Sequence, residues 1–165
     1  MPTVLYIRGE PGSGKSTVAR VLERDLGWPL VWVHHFDPIY AAIGEHRVPD
    51  LTDKLIRSVA LHLMVQDRSM IVVRPSRQTW GMECVAKDAK ANRYKFVPVR
   101  LAAGYKTLAQ RVTRRHHESP FRLTTAEALD EYLRARKPEP FDGETVIETD
   151  DLEPEQVAGR IKELL

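Results

Sequence analysis

The stretch Gly9-Glu10-Pro11-Gly12-Ser13-Gly14-Lys15-Ser16-Thr17 decides the fold. It matches the pattern G-x-x-x-x-G-K-[ST] without a gap. A short apolar run at residues 4–7 precedes it and predicts a buried strand. After Lys15, apolar residues recur at helical spacing as far as Leu26, where Gly27 and Pro29 end the helix. The stretch therefore joins a strand to a helix, which is the setting in which this pattern binds phosphate groups.

Each residue type in this loop suits the binding of phosphate. Gly12 and Gly14 reach backbone angles that strain other residues, and they let backbone N–H groups approach an anion closely. The helix that starts near Lys15 directs its unpaired N–H groups and its positive dipole end at the same point. We therefore expect ATP and Mg²⁺ as cofactors, with Lys15 on the β- and γ-phosphates and the Ser16 hydroxyl on the metal. The expected nucleotide-binding residues of the loop are Gly12, Ser13, Gly14, Lys15, Ser16 and Thr17.

Short apolar strands and amphipathic helices alternate along the rest of the chain. The patterns predict further strands over residues 30–33, 70–73, 96–101 and 145–148, and helices over 49–66, 79–91, 105–115, 124–136 and from 154 onward. This alternation predicts an α/β fold with a five-stranded parallel sheet and helices on both faces. Ligands of such sheets bind at the carboxyl ends of the strands.

Two of the predicted helices carry more specific signals. In the helix over residues 49–66, the residues Leu51, Leu55, Val59 and Leu63 form an apolar stripe that we expect to face the core. In the helix over residues 124–136, Thr124 and Glu127 have the spacing of a capping box.

Size, hydropathy and cysteine content narrow the class of protein. The chain has 165 residues, which fits a single domain over residues 1–165. No apolar run approaches the roughly 20 residues that cross a bilayer, and the first residues do not resemble a secretion signal. A single cysteine, Cys84, cannot form an internal disulfide. These features lead us to expect a cytoplasmic protein without a membrane segment.

Charge is distributed unevenly along the chain. Residues 67–115 carry 12 basic and 3 acidic side chains, whereas residues 116–165 carry 6 basic and 13 acidic ones. A nucleotide or nucleic acid that meets the middle third is one explanation for this excess. A solvated basic helix face is the alternative.

The loop and the order of the elements resemble the P-loop kinases that include the polynucleotide kinases, the gluconate kinases and the zeta-type toxins. This resemblance implies a P-loop NTPase fold with a helical lid, here over about residues 114–136. In these kinases a carboxylate near the end of the second strand commonly faces the acceptor hydroxyl, and Asp37 lies just after the second predicted strand. A helix after the fourth strand carries arginines that lead into the lid.

Asp37 and its neighbours have two interpretations. A kinase needs a carboxylate that accepts the proton of the attacking hydroxyl, and Asp37 lies at the expected edge of the sheet. The alternative is a helix cap, because Asp before Pro38 is a common helix start. The adjacent His34 and His35 either contact the acceptor or occupy satisfied polar positions beside the sheet.

Arginines in the later part of the chain are candidates for binding the transferred phosphoryl group. Arg111, Arg114 and Arg115 share a broad helix face, and in an ATP-dependent kinase such residues stabilise charge on the phosphates. We expect Arg111 and Arg115 to be catalytic and Arg111 also to bind the nucleotide. An exposed basic face is the alternative. Arg122 belongs either to the lid or to a plain connecting loop.

The third strand departs from the kinase pattern. These kinases usually carry an acidic residue at its end, whereas this chain continues as Arg74-Pro75-Ser76-Arg77. Either Asp37 also serves the metal, or Arg74 and Arg77 bind an anionic acceptor. An internal ion pair, for instance between Arg74 and Asp37, would produce the same sequence.

These observations predict an ATP-dependent kinase whose acceptor is a hydroxyl of a nucleotide or nucleic acid. A polynucleotide 5′-hydroxyl and a hydroxymethyl base in DNA are two forms of this hypothesis. A small-molecule kinase for a sugar acid or an antibiotic is the alternative within enzymes. A regulatory protein that hydrolyses ATP slowly is the alternative from another class.

Overall fold

The structure is a computed structural model that describes residues 1–43, 49–74, 79–114, 122–135 and 137–165. Within these ranges the strands form one five-stranded parallel sheet in the order β2-β3-β1-β4-β5. The strands are β1 (Thr3–Gly9), β2 (Leu30–Trp32), β3 (Met70–Arg74), β4 (Lys95–Ala102) and β5 (Thr145–Glu148). The predicted five-stranded parallel sheet is therefore confirmed.

Helices cover this sheet on both faces. Every residue of β1 and of β3 is buried, which requires packing against both sides of the sheet. Helix α1 packs against α7, and α3 packs against α4. The helices are α1 (Lys15–Leu26), α2 (Asp37–Ile43), α3 (Pro49–Val65), α4 (Trp80–Ala91), α5 (Tyr105–Thr113), α6 (Ala126–Ala135) and α7 (Pro154–Lys162), with a 3₁₀ helix at Val33–Phe36.

The buried face of α3 is shifted by one residue along the sequence from the predicted apolar stripe. Ile56, Ala60 and Met64 are buried, whereas Leu51 and Val59 are 40% and 39% exposed. On α3, two neighbouring rows of residues spaced four apart are both rich in apolar side chains. The sequence pattern therefore could not decide which row is buried. The prediction that Leu51 and Val59 face the core was wrong.

The start of α6 also differs from the prediction. Its N-terminal hydrogen bond runs from the backbone N–H of Ala128 to the hydroxyl of Thr125, at 3.2 Å. The capping residue is therefore Thr125 and not Thr124, because the first helical residue is Ala126.

Helices α5 and α6 share an apolar cluster separate from the main core. Leu108 and Val112 of α5 are buried against Leu129 of α6. This cluster attaches the helical part of the predicted lid to the helix that follows β4. Within the described ranges no helix is both long and apolar enough to cross a membrane.

Candidate active site

The glycine-rich loop occupies the turn between β1 and α1, at the carboxyl edge of the sheet. Gly12 and Gly14 both have φ of 91°, a left-handed conformation that glycine adopts without a steric penalty. A Cβ on Gly12 would lie 2.7 Å from the backbone oxygen of Leu108, so only glycine fits at this position. The conformation predicted for a phosphate-binding turn is therefore already formed.

Hydrogen bonds within the loop hold this conformation. The Nζ of Lys15 donates to the backbone oxygen of Glu10 at 3.0 Å, and the N–H of Ser13 donates to the same oxygen at 3.1 Å. Lys15 is 7% exposed, and the first turn of α1 places Ser16 next to it as a half-buried hydroxyl. A buried ammonium beside convergent N–H groups makes this turn suited to a multiply charged anion.

Thr149, which follows β5, and Arg111 of α5 connect the glycine-rich loop to these two parts of the chain. The Thr149 hydroxyl lies 3.1 Å from the backbone oxygens of both Ser13 and Ala102. The Arg111 guanidinium donates to the Thr149 hydroxyl at 3.0 Å, to the Thr149 backbone oxygen at 2.7 Å and to the Gly12 backbone oxygen at 3.4 Å. Arg111 therefore lies against the glycine-rich loop, and its roles in catalysis and nucleotide binding stay predictions.

A cavity of about 640 Å³ opens beside this connection. One wall is the loop with Thr17 and Val18, and the opposite wall is the segment 149–154 with Val157. Asp150 borders it, and hydrogen bonds from the Thr107 side chain and the Gly104 N–H hold the pKa of that carboxyl below its usual range. The cavity is next to the phosphate-binding turn and is large enough for a nucleoside.

Asp37 is the first residue of α2 and is separated from the carboxyl end of β2 by the 3₁₀ helix at Val33–Phe36. It is 8% exposed, and its Oδ2 is 2.6 Å from Nδ1 of His34. Asp37 is the first helical residue and not the residue before the helix, so it is not the cap of α2, and its carboxylate is buried. Its role as a base stays a prediction.

Arg74 ends β3 and forms an ion pair inside the protein. Its Nη2 lies 2.6 Å from Oδ1 of Asp53 on α3, and the two side chains are 10% and 16% exposed. The anticipated internal ion pair is thus present with Asp53. Beside it, burial raises the pKa of the Tyr6 hydroxyl well above its usual range, although the Arg74 charge opposes this shift. Arg77 and Arg115 lie outside the described residues, and Arg114 is exposed.

Sequence comparison gives a local match and no family assignment. No family model matches the chain. A cytidylate kinase of Pseudomonas putida W619 is 41% identical over 64 residues, which are 38% of this chain and 28% of that protein. The chain thus matches well under a third of the length of this curated relative.

Structural comparison covers nearly the whole chain. A provisionally assigned kinase of Chloroflexus aurantiacus superposes with a TM-score of 0.79 at 16% identity, covering 99% of this chain and 98% of that one. An APS kinase of Mycobacterium tuberculosis in complex with AMPPNP and APS gives a TM-score of 0.71 at 16% identity, covering 99% and 96%. A gluconokinase of Sinorhizobium meliloti gives 0.68 at 15% identity, covering 97% and 89%.

The chain has the fold of the P-loop kinases. The narrower resemblance to polynucleotide kinases and zeta-type toxins stays a prediction.

A second cavity of this P-loop kinase fold lies between α3 and the start of α4. Its volume is about 590 Å³. The Thr79 hydroxyl at its rim donates to Glu83 at 2.8 Å and lies 3.4 Å from Glu139. The residues that line it are Asp53, Lys54, Thr79, Trp80, Gly81, Glu83 and Glu139. Sequence reasoning did not find this cavity, because its residues come from three separate parts of the chain.

Three arginines lie side by side on neighbouring strands of the sheet. Arg8 of β1 is in register with Arg74 of β3 and with Arg100 of β4. Arg8 is fully buried and forms hydrogen bonds at 2.5 and 2.8 Å with the carboxylate of Glu144, which also lies 3.5 Å from Arg100. Neighbouring strands are about 4.8 Å apart, so Glu144 and Asp53 are needed to offset the repulsion within this row.

Four cations from the basic middle of the chain contact other parts of the protein. Arg74 and Arg100 pair with carboxylates from other elements, and Arg111 binds Thr149. Lys95 lies at the opposite end of the sheet, where its Nζ donates to the backbone oxygens of Leu164 and Leu165. Part of the charge excess over residues 67–115 therefore serves contacts within the protein.

Proposed function

We propose that this chain is an ATP-dependent kinase that transfers the γ-phosphoryl group to a hydroxyl of a small molecule. In this proposal residues 1–165 act as one domain, with a lid over about residues 114–136. The observation that carries the proposal is the preformed glycine-rich loop, which Arg111 and Thr149 hold beside the 640 Å³ cavity.

The nucleotide would bind with its phosphates in the loop and its nucleoside in that cavity. The left-handed Gly12 and Gly14 direct N–H groups at the phosphates, and Lys15 contributes a charge that is already almost buried. The Ser16 hydroxyl, in the first turn of α1, fits a Mg²⁺ ligand. Mg²⁺, when bound, neutralises charge on the β- and γ-phosphate oxygens.

Phosphoryl transfer would use groups on both sides of the loop. Asp37 would accept the proton of the attacking hydroxyl, because its carboxylate is held beyond the carboxyl end of β2. Lys15 would stabilise charge on the transferred group, and Arg111 would hold the nucleotide. Arg115 stays a predicted second cation for the same charge.

The acceptor would enter near the 590 Å³ cavity between α3 and α4. A small molecule is favoured over a nucleic acid because Arg74 is paired with Asp53 and because Glu83 and Glu139 line the cavity. Nucleic-acid binding depends on several cations that contact successive phosphates, whereas Arg74, Arg100 and Arg111 contact partners within the protein. A nucleotide acceptor is the second candidate, supported by the local match to a cytidylate kinase.

Transfer of labelled phosphate from ATP to a panel of acceptors tests the proposal. The panel contains sugars, sugar acids, nucleosides, nucleoside monophosphates and DNA with a 5′-hydroxyl. We expect at least one small molecule to accept phosphate, and we expect ATP turnover to depend on it. Turnover that is slow and independent of every acceptor would support the regulatory protein instead.

Two variants test the proposed roles of Lys15 and Asp37 once an acceptor is found. Lys15→Ala should lower kcat at least about 100-fold, because charge on the phosphates then lacks a donor. Asp37→Asn should lower kcat by a similar factor with KM for ATP nearly unchanged, because the amide is a far weaker proton acceptor. Lys90→Ala, an exposed lysine on α4, is the control. Full activity of a folded Lys15→Ala protein would contradict the proposal, and full activity of Asp37→Asn would place the base elsewhere.

A further inference from the structure

His34 and Asp37 lie on one side of the 3₁₀ helix that follows β2. A 3₁₀ helix has three residues per turn, so the side chains of residues i and i+3 eclipse each other. His34 Nδ1 is consequently 2.6 Å from Asp37 Oδ2. The sequence His34-His35-Phe36-Asp37 alone did not distinguish this contact from an acceptor contact of either histidine.

The imidazole of His34 is itself held in place. The ring of Trp32 meets it edge-on, with centroids 4.6 Å apart and an interplanar angle of 74°. Trp32 is 6% exposed, and the guanidinium groups of Arg20 and Arg122 lie 5.2 and 5.3 Å from its ring. A buried ring fixed in this way restricts the orientation of the imidazole against which it packs.

We infer that His34 is a positioning residue for the carboxylate of Asp37. An N–H of His34 that donates to Oδ2 fixes the plane of the carboxylate and stabilises its ionised form, which is the form that accepts a proton. The inference rests on the proposed role of Asp37 as the base. It assigns to His34 a contribution to kcat without a contact to ATP.

Two substitutions of nearly equal shape separate donation from packing. Asn in place of His34 keeps an N–H donor close to the position of Nδ1, whereas Leu has the same shape without a donor. His34→Leu should lower kcat about 10- to 100-fold, because a misplaced catalytic group reacts less often in the productive geometry. His34→Asn should stay within about threefold of wild type, and KM for ATP should change less than about twofold in both.

The experiment measures kcat, KM for ATP and KM for the acceptor in His34→Leu, His34→Asn and Asp37→Asn. His62→Ala, an exposed histidine on α3, is the matched control, and thermal unfolding confirms that each variant is folded. Rescue of kcat by Asn and not by Leu supports the inference.

Four results would overturn it in distinguishable ways. Wild-type kcat in His34→Leu together with an inactive Asp37→Asn leaves the base in place and removes the role of His34. Equal losses in the Leu and Asn variants assign the effect to ring packing. An increase in the acceptor KM with unchanged kcat assigns His34 to acceptor binding, whereas wild-type kcat in Asp37→Asn removes the proposed base itself.

Discussion

Arg74 is a basic residue at a position where an acidic residue is expected. In the kinases that this chain resembles, the end of the third strand usually carries a carboxylate that supports the metal. Here the position holds a guanidinium whose Nε has no hydrogen-bond partner among the described residues, and whose Nη2 pairs with Asp53. The pair fixes α3 to β3 next to the 590 Å³ cavity. The basic side chain of Arg74 therefore has a structural role in the contact between these two elements.

Replacing Arg74 tests whether the ion pair with Asp53 is enough to explain a basic residue at this position. Arg74→Ala should destabilise the fold by about 3 kcal/mol, because Asp53 would keep its charge in a mostly buried position without its cation. The salt dependence of the acceptor KM should stay unchanged. Chemical denaturation and KM at two salt concentrations measure both effects, with the exposed Arg68→Ala as the control. A flattened salt dependence with unchanged stability would restore the nucleic-acid acceptor.

At the scale of elements, the site depends on how the glycine-rich loop is joined to the end of β5. Thr149 is 2% exposed, and its hydroxyl lies within hydrogen-bond distance of the loop, the end of β4 and Arg111 of α5. The loop, the region from the end of β4 to α5, and the segment after β5 are distant from one another in sequence. A single side chain therefore holds the glycine-rich loop beside the 640 Å³ cavity.

Substitution of Thr149 tests this connection. Thr149→Val keeps the shape and removes the hydroxyl, so buried groups of Ser13, Ala102 and Arg111 lose a partner. We expect a loss of about 1–3 kcal/mol of stability and a raised KM for ATP. Thr149→Ser retains the hydroxyl and is the control. An unchanged KM for ATP in the valine variant would show that the loop keeps its conformation without this contact.

The sequence predicted the elements far better than their contacts. The strands, the glycine-rich loop and the helices other than α2 follow from patterns within about ten residues, and the structure has them. The choice of the buried row of α3 failed because tertiary packing decides between two apolar rows. The pairs Arg74–Asp53 and Arg8–Glu144 join residues distant in the chain, and only the register of the sheet brings them together.

For the whole molecule, the row of Arg74, Arg8 and Arg100 links three strands to segments outside the sheet. Glu144 precedes β5, and Arg8 also donates to the backbone oxygen of Glu139 at 2.5 Å. The segment before β5 is thereby attached to the centre of the sheet. Such a buried arrangement stabilises the fold only while its charges remain paired.

Removal of Glu144 tests the importance of this pairing. Glu144→Ala should destabilise the protein by about 3–5 kcal/mol, because the fully buried Arg8 would lose its carboxylate. The exposed Glu163→Ala is the control. Urea unfolding gives both free energies. A loss below about 1 kcal/mol would show that Arg8 finds another partner or that water reaches it.

The separate cluster between α5 and α6 has a consequence for divergence among relatives. Among the described residues, Leu108, Val112 and Leu129 are buried apart from the main core, so changes on α6 leave the packing around the sheet intact. Insertions, deletions or exchanges in this helix therefore cost the scaffold little. Among relatives of this chain, α6 is therefore an element whose length and sequence can diverge while the sheet is inherited unchanged.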